Sequence, residues 1–200
     1  ANYYRFNFTK NDGPTSHWSY LYSIIQNCNL ILMNIDKLDI EEEETAYRDD
    51  LKGEALAIRG LALFDLTRIF GYPYTKDNGA SLGVPIVEGL STIDSKPARN
   101  TVAQCYAKVI EDLSNSVELL SGDFNKGKIN KWGAMVLLSR AYLYKGDNAN
   151  ALKTAEAAIK GAEKEGYALW TNEEYPTAWG NDASASNPGE VLFEIVNLTT

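Results

Sequence analysis

The 200-residue chain has a single histidine and lacks the common catalytic motifs. A histidine-based metal site would need unusual ligands, and a Ser-His-Asp triad would have to use His17, which lies beside a predicted helix start. Phosphate-binding glycine-rich loops, the nucleophile-elbow pattern and the zinc-protease motif are also missing. These absences disfavour an enzyme and give no indication of a cofactor or a metal.

Cysteine, long apolar runs and excess positive charge are also scarce. Cys28 and Cys105 are too few and too isolated for a disulfide framework, and their apolar helical positions favour buried free thiols. No apolar run reaches the roughly 18 residues of a membrane-spanning helix, and the first residues do not form a signal peptide. A net charge of −8 disfavours nucleic acid and anionic membranes as partners.

Apolar residues recur at helical spacing through most of the chain. The pattern predicts five helices: one that starts near Thr15, one over 45–70, one opened by a capping box at Thr101, one over 131–145, and one after a tight turn at Gly146. The predicted class is therefore all-α.

Two stretches depart from the helical pattern. Prolines and glycines interrupt it over 72–100, which predicts an ordered but irregular insertion, because a structureless loop of that length is unusual in a compact domain. After Gly166 loop residues dominate, and the apolar, β-branched run over 190–196 predicts a short strand or a buried extended segment. We expect a helical scaffold over 1–166 and a loop-rich segment over 167–200 that begins an incomplete C-terminal part.

The last two predicted helices match the offsets of a tetratricopeptide (TPR) hairpin at six of seven positions. Small side chains would let the two helix axes approach, an aromatic ring would fill the gap, and a glycine would permit the turn. A generic helical hairpin is the alternative. The tested positions are Leu138, Ser139, Tyr142, Gly146, Ala151, Ala155 and Ala158.

Arginine and aromatic residues supply the candidate binding chemistry. Arg59 and Arg140 lie among small residues in helix interiors, so we expect them to anchor inter-helix salt bridges rather than bind an anion. Aromatic rings outside the apolar stripes suit sugar faces, and neighbouring Asn and Asp suit sugar hydroxyls. The alternative is that these rings pin loops to helices. They are Tyr3, Tyr4, Tyr72, Tyr74, Trp170, Tyr175 and Trp179.

An ordered series of short motifs spans nearly the whole chain and resembles the SusD/RagB family, the nutrient-binding lipoproteins of Bacteroidetes. The series is Trp18-x-x-x-Tyr22, Gly53-Glu54-Ala55-x-x-x-Arg59, Phe64-x-Leu66-x-x-x-Phe70-Gly71-x-Pro73, Gly83-Val84-Pro85-Ile86, Ile110-x-Asp112-Leu113, Leu137-Leu138-x-Arg140-x-Tyr142 and Glu190-x-x-Phe193-Glu194.

The resemblance implies a TPR-like scaffold and an outer-membrane lipoprotein held by a lipid anchor that this chain lacks. It implies capture of an oligosaccharide, or in some members a peptide, for a SusC-type TonB-dependent transporter. It implies no reaction and no cofactor.

In glycan-binding members of that family, the loop before the first helix contributes to the ligand platform. By that resemblance the ligand-binding residues here are Tyr3, Tyr4, Asn7, Asn11 and Asp12. Two other functions remain open. One is a cytoplasmic TPR-like adaptor that binds a peptide or protein; the other is a helical glycoside hydrolase, which would need paired carboxylates about 5 to 10 Å apart.

Overall fold

The structure is a computed structural model that describes residues 15–92, 94–123, 127–178 and 189–195. Within these ranges it contains six α-helices, and the predicted all-α class is confirmed. They are α1 (Thr15–Asn34), α2 (Thr45–Phe70), α3 (Val102–Leu119), α4 (Lys131–Lys145), α5 (Asn148–Lys164) and α6 (Tyr175–Ala178), with short 3-10 turns at Ile35–Lys37, Glu42–Glu44 and Tyr74–Lys76.

Each of the first four helices packs against the next one along the chain. The long helix α2 therefore lies between α1 and α3, and α4 lies between α3 and α5. This order buries one continuous apolar core, because each interior helix contacts a neighbour on two sides. Its largest fully buried apolar side chains include Ile25, Phe64, Leu66, Val109 and Leu113.

Local capping signals set several helix ends where the sequence predicts them. The Thr101 hydroxyl accepts a hydrogen bond from the Gln104 backbone N–H at 3.2 Å, and the Gln104 side chain accepts one from the Thr101 N–H at 2.9 Å. Helix α4 ends at Gly146, whose φ of 85° is a left-handed conformation that favours glycine. Asp147 then caps α5 by accepting from the Asn150 N–H at 3.2 Å.

Small side chains line the contact between α4 and α5. Ala151 and Ala158 are buried. The Ser139 hydroxyl on α4 donates to the Ala151 carbonyl on α5 at 2.8 Å, and Tyr142 packs partly buried against the core. The small residues of the pattern are thus buried at the α4–α5 contact, and the TPR-like class and the domain boundary at 166 stay predictions.

Residues 71–101 connect α2 to α3 by an irregular but well-bonded path. The Tyr22 hydroxyl on α1 donates to the Pro85 carbonyl at 2.8 Å. The Asn29 amide on α1 donates to the carbonyls of Val87 and Gly89 at 2.8 and 3.0 Å. Because α1 supplies these donors, the insertion is fastened to the first helix as well as to its own ends.

The strand predicted over 190–196 is wrong for the part that the structure describes. Residues 190–195 form a turn, a bend and irregular backbone, and Phe193 packs partly buried against the helical core. No extended neighbour pairs with this stretch in the described ranges, and a strand needs such a partner to satisfy its backbone. None of the described helices is long and apolar enough to cross a membrane.

Candidate functional site

The predicted ligand residues Tyr3, Tyr4, Asn7, Asn11 and Asp12 lie outside the described residues. They precede α1, which begins at Thr15. Trp18, near the start of α1, contacts Phe70, the last residue of α2, with ring centroids 4.9 Å apart and planes nearly perpendicular. Helix α1 therefore begins at the end of the helix stack where α2 finishes.

A continuous series of rings lies at this same end. Tyr74 contacts Tyr106 with centroids 5.3 Å apart, Tyr106 contacts Phe64 at 5.8 Å, and Phe64 contacts Tyr144 at 5.4 Å. All three contacts are edge-on, the geometry that aromatic pairs prefer. They join α2, α3, α4 and the 3-10 turn after α2. We define the aromatic end as Phe64, Arg68, Tyr72, Tyr74, Lys76, Arg140 and Tyr144.

Helical spacing brings its cations and rings together. Phe64 and Arg68 are four residues apart on α2, as are Arg140 and Tyr144 on α4, and residues at that spacing share a helix face. The Arg68 guanidinium carbon lies 4.8 Å from the Phe64 centroid and 5.2 Å from the Tyr144 centroid. The Arg140 guanidinium carbon lies 5.7 Å from the same Phe64 ring. All three distances are within cation–π range.

The two arginines differ in their pairing. Arg68 forms an ion pair with Asp65. Burial alone lowers the pKa of Arg68, but the hydrogen bond and charge of Asp65 outweigh burial and raise that pKa above its ordinary value. Arg140 is exposed. Its predicted inter-helix salt bridge is wrong, since no described carboxylate lies within 4.0 Å of it; the Phe64 ring is its partner instead.

The rings at this end have different roles. Tyr74 is partly buried and packs on the core, so it pins the loop. Tyr72 is 57% exposed and Tyr144 is 45% exposed, and the Lys76 ammonium lies 3.1 Å from the Tyr72 centroid. Exposed rings can stack on the C–H faces of a sugar while guanidinium and ammonium groups donate to its oxygens.

The other loop aromatics do not join this surface in the described structure. Trp170 and Tyr175 contact each other beyond α5, with centroids 6.3 Å apart and planes at 69°. Trp179 lies outside the described residues. Among the described residues a single cation–ring pair lies elsewhere, Lys128 with Tyr47 at 5.4 Å, whereas the aromatic end brings several rings and cations together.

A buried ionic network supports the scaffold beneath this surface. Arg59 on α2 donates to both carboxylate oxygens of Asp112 on α3 at 2.7 Å, and to the Asn29 side-chain oxygen on α1 at 2.9 Å. Asp112 is 1% exposed. The predicted inter-helix salt bridge of Arg59 is thus confirmed, and it ties three helices together.

The same network reaches the insertion through Lys108. Its ammonium lies 2.6 Å from the Glu88 carboxylate and 3.3 Å from that of Asp112. The hydrogen bond from Lys108 holds the pKa of Glu88 below its ordinary value. The charges of the network are matched to one another, and its buried part, Arg59 with Asp112, holds the helices together.

The free thiols are buried, as predicted. Burial raises the pKa of Cys28 to about 11, so little reactive thiolate exists at neutral pH. In the part of the chain that the structure describes, no group of three or more His, Cys, Asp or Glu residues is placed to hold a metal ion.

A groove elsewhere on the molecule differs in character from the aromatic end. A groove of about 470 Å³ lies between α1 and α2, lined mostly by Ile31, Ile35, Leu38, Leu51 and Ile58. Its lining offers few donors and acceptors for sugar hydroxyls, which need matched polar partners. The aromatic end is the better candidate.

The model of the SusD-like family described as starch-binding and associating with the outer membrane matches residues 2–143. The chain belongs to this SusD-like family. The matched range contains the predicted ligand loop and all of the aromatic end except Tyr144.

Solved and curated SusD-like relatives agree with this assignment. A protein of Bacteroides vulgatus ATCC 8482, named as a candidate sugar-binding protein, is 82% identical with a TM-score of 0.96 over 99% of this chain and 44% of its own. A SusD superfamily protein of Bacteroides thetaiotaomicron VPI-5482 is 42% identical, with a TM-score of 0.83, over 91% of this chain and 40% of its own. A SusD-like protein of Bacteroides ovatus is 25% identical over 63% of this chain and 21% of its own. This SusD-like chain thus spans less than half the length of these relatives.

The sequence alone does not identify Arg68 and Tyr144 as members of the site. The only local signal is the four-residue spacing of Phe64 with Arg68 and of Arg140 with Tyr144. That spacing predicts a shared face on each helix, but it does not predict that the two faces meet.

Proposed function

We propose that this SusD-like chain binds an oligosaccharide at the cell surface and delivers it to a SusC-type TonB-dependent outer-membrane transporter. One observation carries the proposal: at the same end of the helix stack two exposed rings each lie beside a cation, Tyr144 beside Arg68 and Tyr72 beside Lys76. Rings beside hydrogen-bond donors are the chemistry that sugar recognition needs. The starch-binding description of the family and the sugar-binding name of the 82% identical relative support it.

The predicted ligand loop extends this surface in the proposal. Tyr3, Tyr4, Asn7, Asn11 and Asp12 precede α1 in the sequence, and α1 begins beside Phe70 at the aromatic end. In the proposal their rings and amides add contacts to those of Tyr72 and Tyr144. In the proposal the loop and the aromatic end both contact the same ligand.

The protein acts in this proposal by binding, without a reaction. Several of its helix carboxylates already have cationic partners: Asp65 pairs with Arg68, and Asp112 with Arg59. Its place is the outer membrane, where the lipid anchor of a complete lipoprotein would hold it. The family description, which associates the family with that membrane, supports this location.

Isothermal titration calorimetry against a panel of oligosaccharides, with malto-oligosaccharides included, tests the proposal. We expect at least one glycan to bind. Tyr72→Ala and Tyr144→Ala should each weaken that binding about fivefold, because a lost ring stack is worth about 1 kcal/mol.

Tyr47→Ala is the matched control. Tyr47 is 60% exposed and lies beside Lys128, but it is near the start of α2, roughly 35 Å along the helix from Phe70 at the other end. It should leave the affinity unchanged. Binding of peptides with no response to any glycan would replace the proposal with the adaptor alternative. Glycan binding that neither aromatic variant weakens would move the site elsewhere.

A further inference from the structure

We propose that the aromatic end selects acidic oligosaccharides, those that carry uronate carboxylates, and that Arg140 is the residue that contacts the carboxylate. This inference rests on the proposed function, because it names the class of glycan for the same surface.

The charges at the aromatic end oppose those of the molecule as a whole. The chain has a net charge of −8, yet three cations, Arg68, Lys76 and Arg140, lie on or between the rings of this surface and outnumber the two carboxylates beside them, Asp65 and Asp77. Bulk repulsion of an anionic ligand is screened beyond about 8 Å at physiological ionic strength. The cations within contact distance therefore decide the sign of the interaction with a bound ligand.

Two guanidinium groups converge on one ring from different helices. Arg68 on α2 and Arg140 on α4 lie 4.8 and 5.7 Å from the Phe64 centroid. Asp65 offsets the charge of Arg68, but among the described residues no carboxylate within 4.0 Å offsets Arg140. A carboxylate of the ligand would supply that missing negative charge.

The side chain of Arg140 is suited to a carboxylate in geometry as well as in charge. A guanidinium presents a planar fork of donors that matches the two oxygens of a carboxylate, and such charge-assisted pairs are stronger than hydrogen bonds to neutral hydroxyls. Arg140 is exposed, and Tyr144 lies one helical turn away on the same face. A uronate ring stacked on Tyr144 would thus carry its carboxylate toward Arg140.

A packing role alone is the competing explanation for Arg140. In that case its aliphatic stem and its contact with Phe64 would be its whole contribution. The affinity for any sugar would then not depend on whether the sugar carries a charge. This difference makes the two explanations separable by measurement.

The experiment compares an oligogalacturonide with the same oligosaccharide fully methyl-esterified, which replaces each carboxylate charge by a neutral ester that is one methyl group larger. Calorimetry with the purified chain should give about tenfold tighter binding of the acid than of the ester. Arg140→Gln should remove this difference and leave the Kd of the ester unchanged. Arg140→Lys keeps the positive charge but loses the two parallel donors of the guanidinium, so it should retain only part of the preference for the acid over the ester.

Arg48→Gln provides the matched control. Arg48 lies near the start of α2, where it pairs with Asp49, and its substitution should change neither Kd. Circular dichroism of each variant checks that the helical fold is kept.

Equal affinity for acid and ester, or binding of neutral glycans alone, would overturn this inference and leave the proposed function standing. Equal weakening of both ligands by Arg140→Gln would also overturn it, since that result means a packing role. Failure of the chain to bind any glycan in the wider panel is a different result, and it would defeat the proposed function itself.

Discussion

Asp112 shows how single residues hold the scaffold in place. It is almost fully buried on α3. It accepts two hydrogen bonds from Arg59 on α2 and forms an ion pair with Lys108 on its own helix. A buried ion pair adds little over apolar packing, but removal of one partner leaves the other charge buried without compensation. The network therefore enforces how α1, α2 and α3 fit together.

Replacement of Asp112 by leucine should destabilise the chain strongly. We expect Asp112→Leu to lower the free energy of unfolding by about 3–5 kcal/mol, because Arg59 would keep its charge in the core. Asp49→Leu breaks the more exposed Arg48–Asp49 pair and should cost less than about 1 kcal/mol. Urea unfolding followed by circular dichroism measures both. Similar losses from the two variants would show that burial of the charges does not matter.

Glu88 makes the fold sensitive to acid. Its pKa in the folded chain is held below the ordinary 4.5 by Lys108, so its ion pair stabilises the chain above that value. This contribution is lost as the pH falls through the lower folded pKa. When the pH falls from about 6 to about 3, the free energy of unfolding should therefore decrease less in Glu88→Gln than in the unmodified chain.

Urea midpoints at a series of pH values measure this effect. Glu43→Gln changes a glutamate outside the ion pairs of the described residues and should keep the acid sensitivity of the unmodified chain. If Glu88→Gln and the unmodified chain lose the same stability at low pH, the Glu88–Lys108 ion pair is not the source of the acid sensitivity.

At the scale of helices and loops, close contact depends on glycine at one crossing point. The ring of Trp132 on α4 lies over Gly161 of α5, so that a β-carbon on Gly161 would fall 2.0 Å from the ring. Gly161→Val should destabilise the chain by about 2–3 kcal/mol, because the crowded side chains must move apart. The thermal unfolding midpoint reports this change.

Gly89→Val is the control for that substitution. A β-carbon at Gly89 meets nothing within 4 Å, so the same change in volume should have little effect there. If both variants unfold at the temperature of the unmodified chain, the α4–α5 contact is looser than the structure indicates.

The sequence predicts those features of the fold whose signals lie within a few residues of one another, and it does not predict contacts between distant segments. The ends of α2 and α4 agree with prediction, because caps, turn glycines and helical spacing act within a few residues. The run over 190–195 has strand composition, but a strand also needs a partner that composition cannot show. The helical position of Arg140 predicts a carboxylate partner, but its partner in the structure is Phe64, because only the tertiary fold decides where α2 and α4 meet. For the same reason the sequence predicts Tyr72 as a candidate but not Tyr144.

At the scale of the whole molecule, ligand binding should stabilise the fold. A ligand that binds only the folded chain raises the free energy of unfolding by about 2.7 kcal/mol when its free concentration is 100 times its Kd. For a chain of this size that corresponds to a rise of roughly 5–10 °C in the unfolding midpoint. Tyr144→Ala should show a smaller rise at the same ligand concentration, whereas Tyr47→Ala should match the unmodified chain.

Thermal scans with and without the bound oligosaccharide check this prediction. An equal rise in both variants would show that Tyr144 does not contact the ligand. No rise in any of the three proteins, despite binding in calorimetry, would show that the ligand also binds the unfolded chain.

The location of the ligand is the central claim, and a two-dimensional NMR titration of the isotope-labelled chain tests it most directly. With an oligosaccharide that binds, the account predicts that the largest shift changes gather at Arg68, Tyr72, Lys76, Arg140 and Tyr144. Changes that gather instead along the α1–α2 groove, or the absence of any change at the aromatic end at saturation, would contradict it.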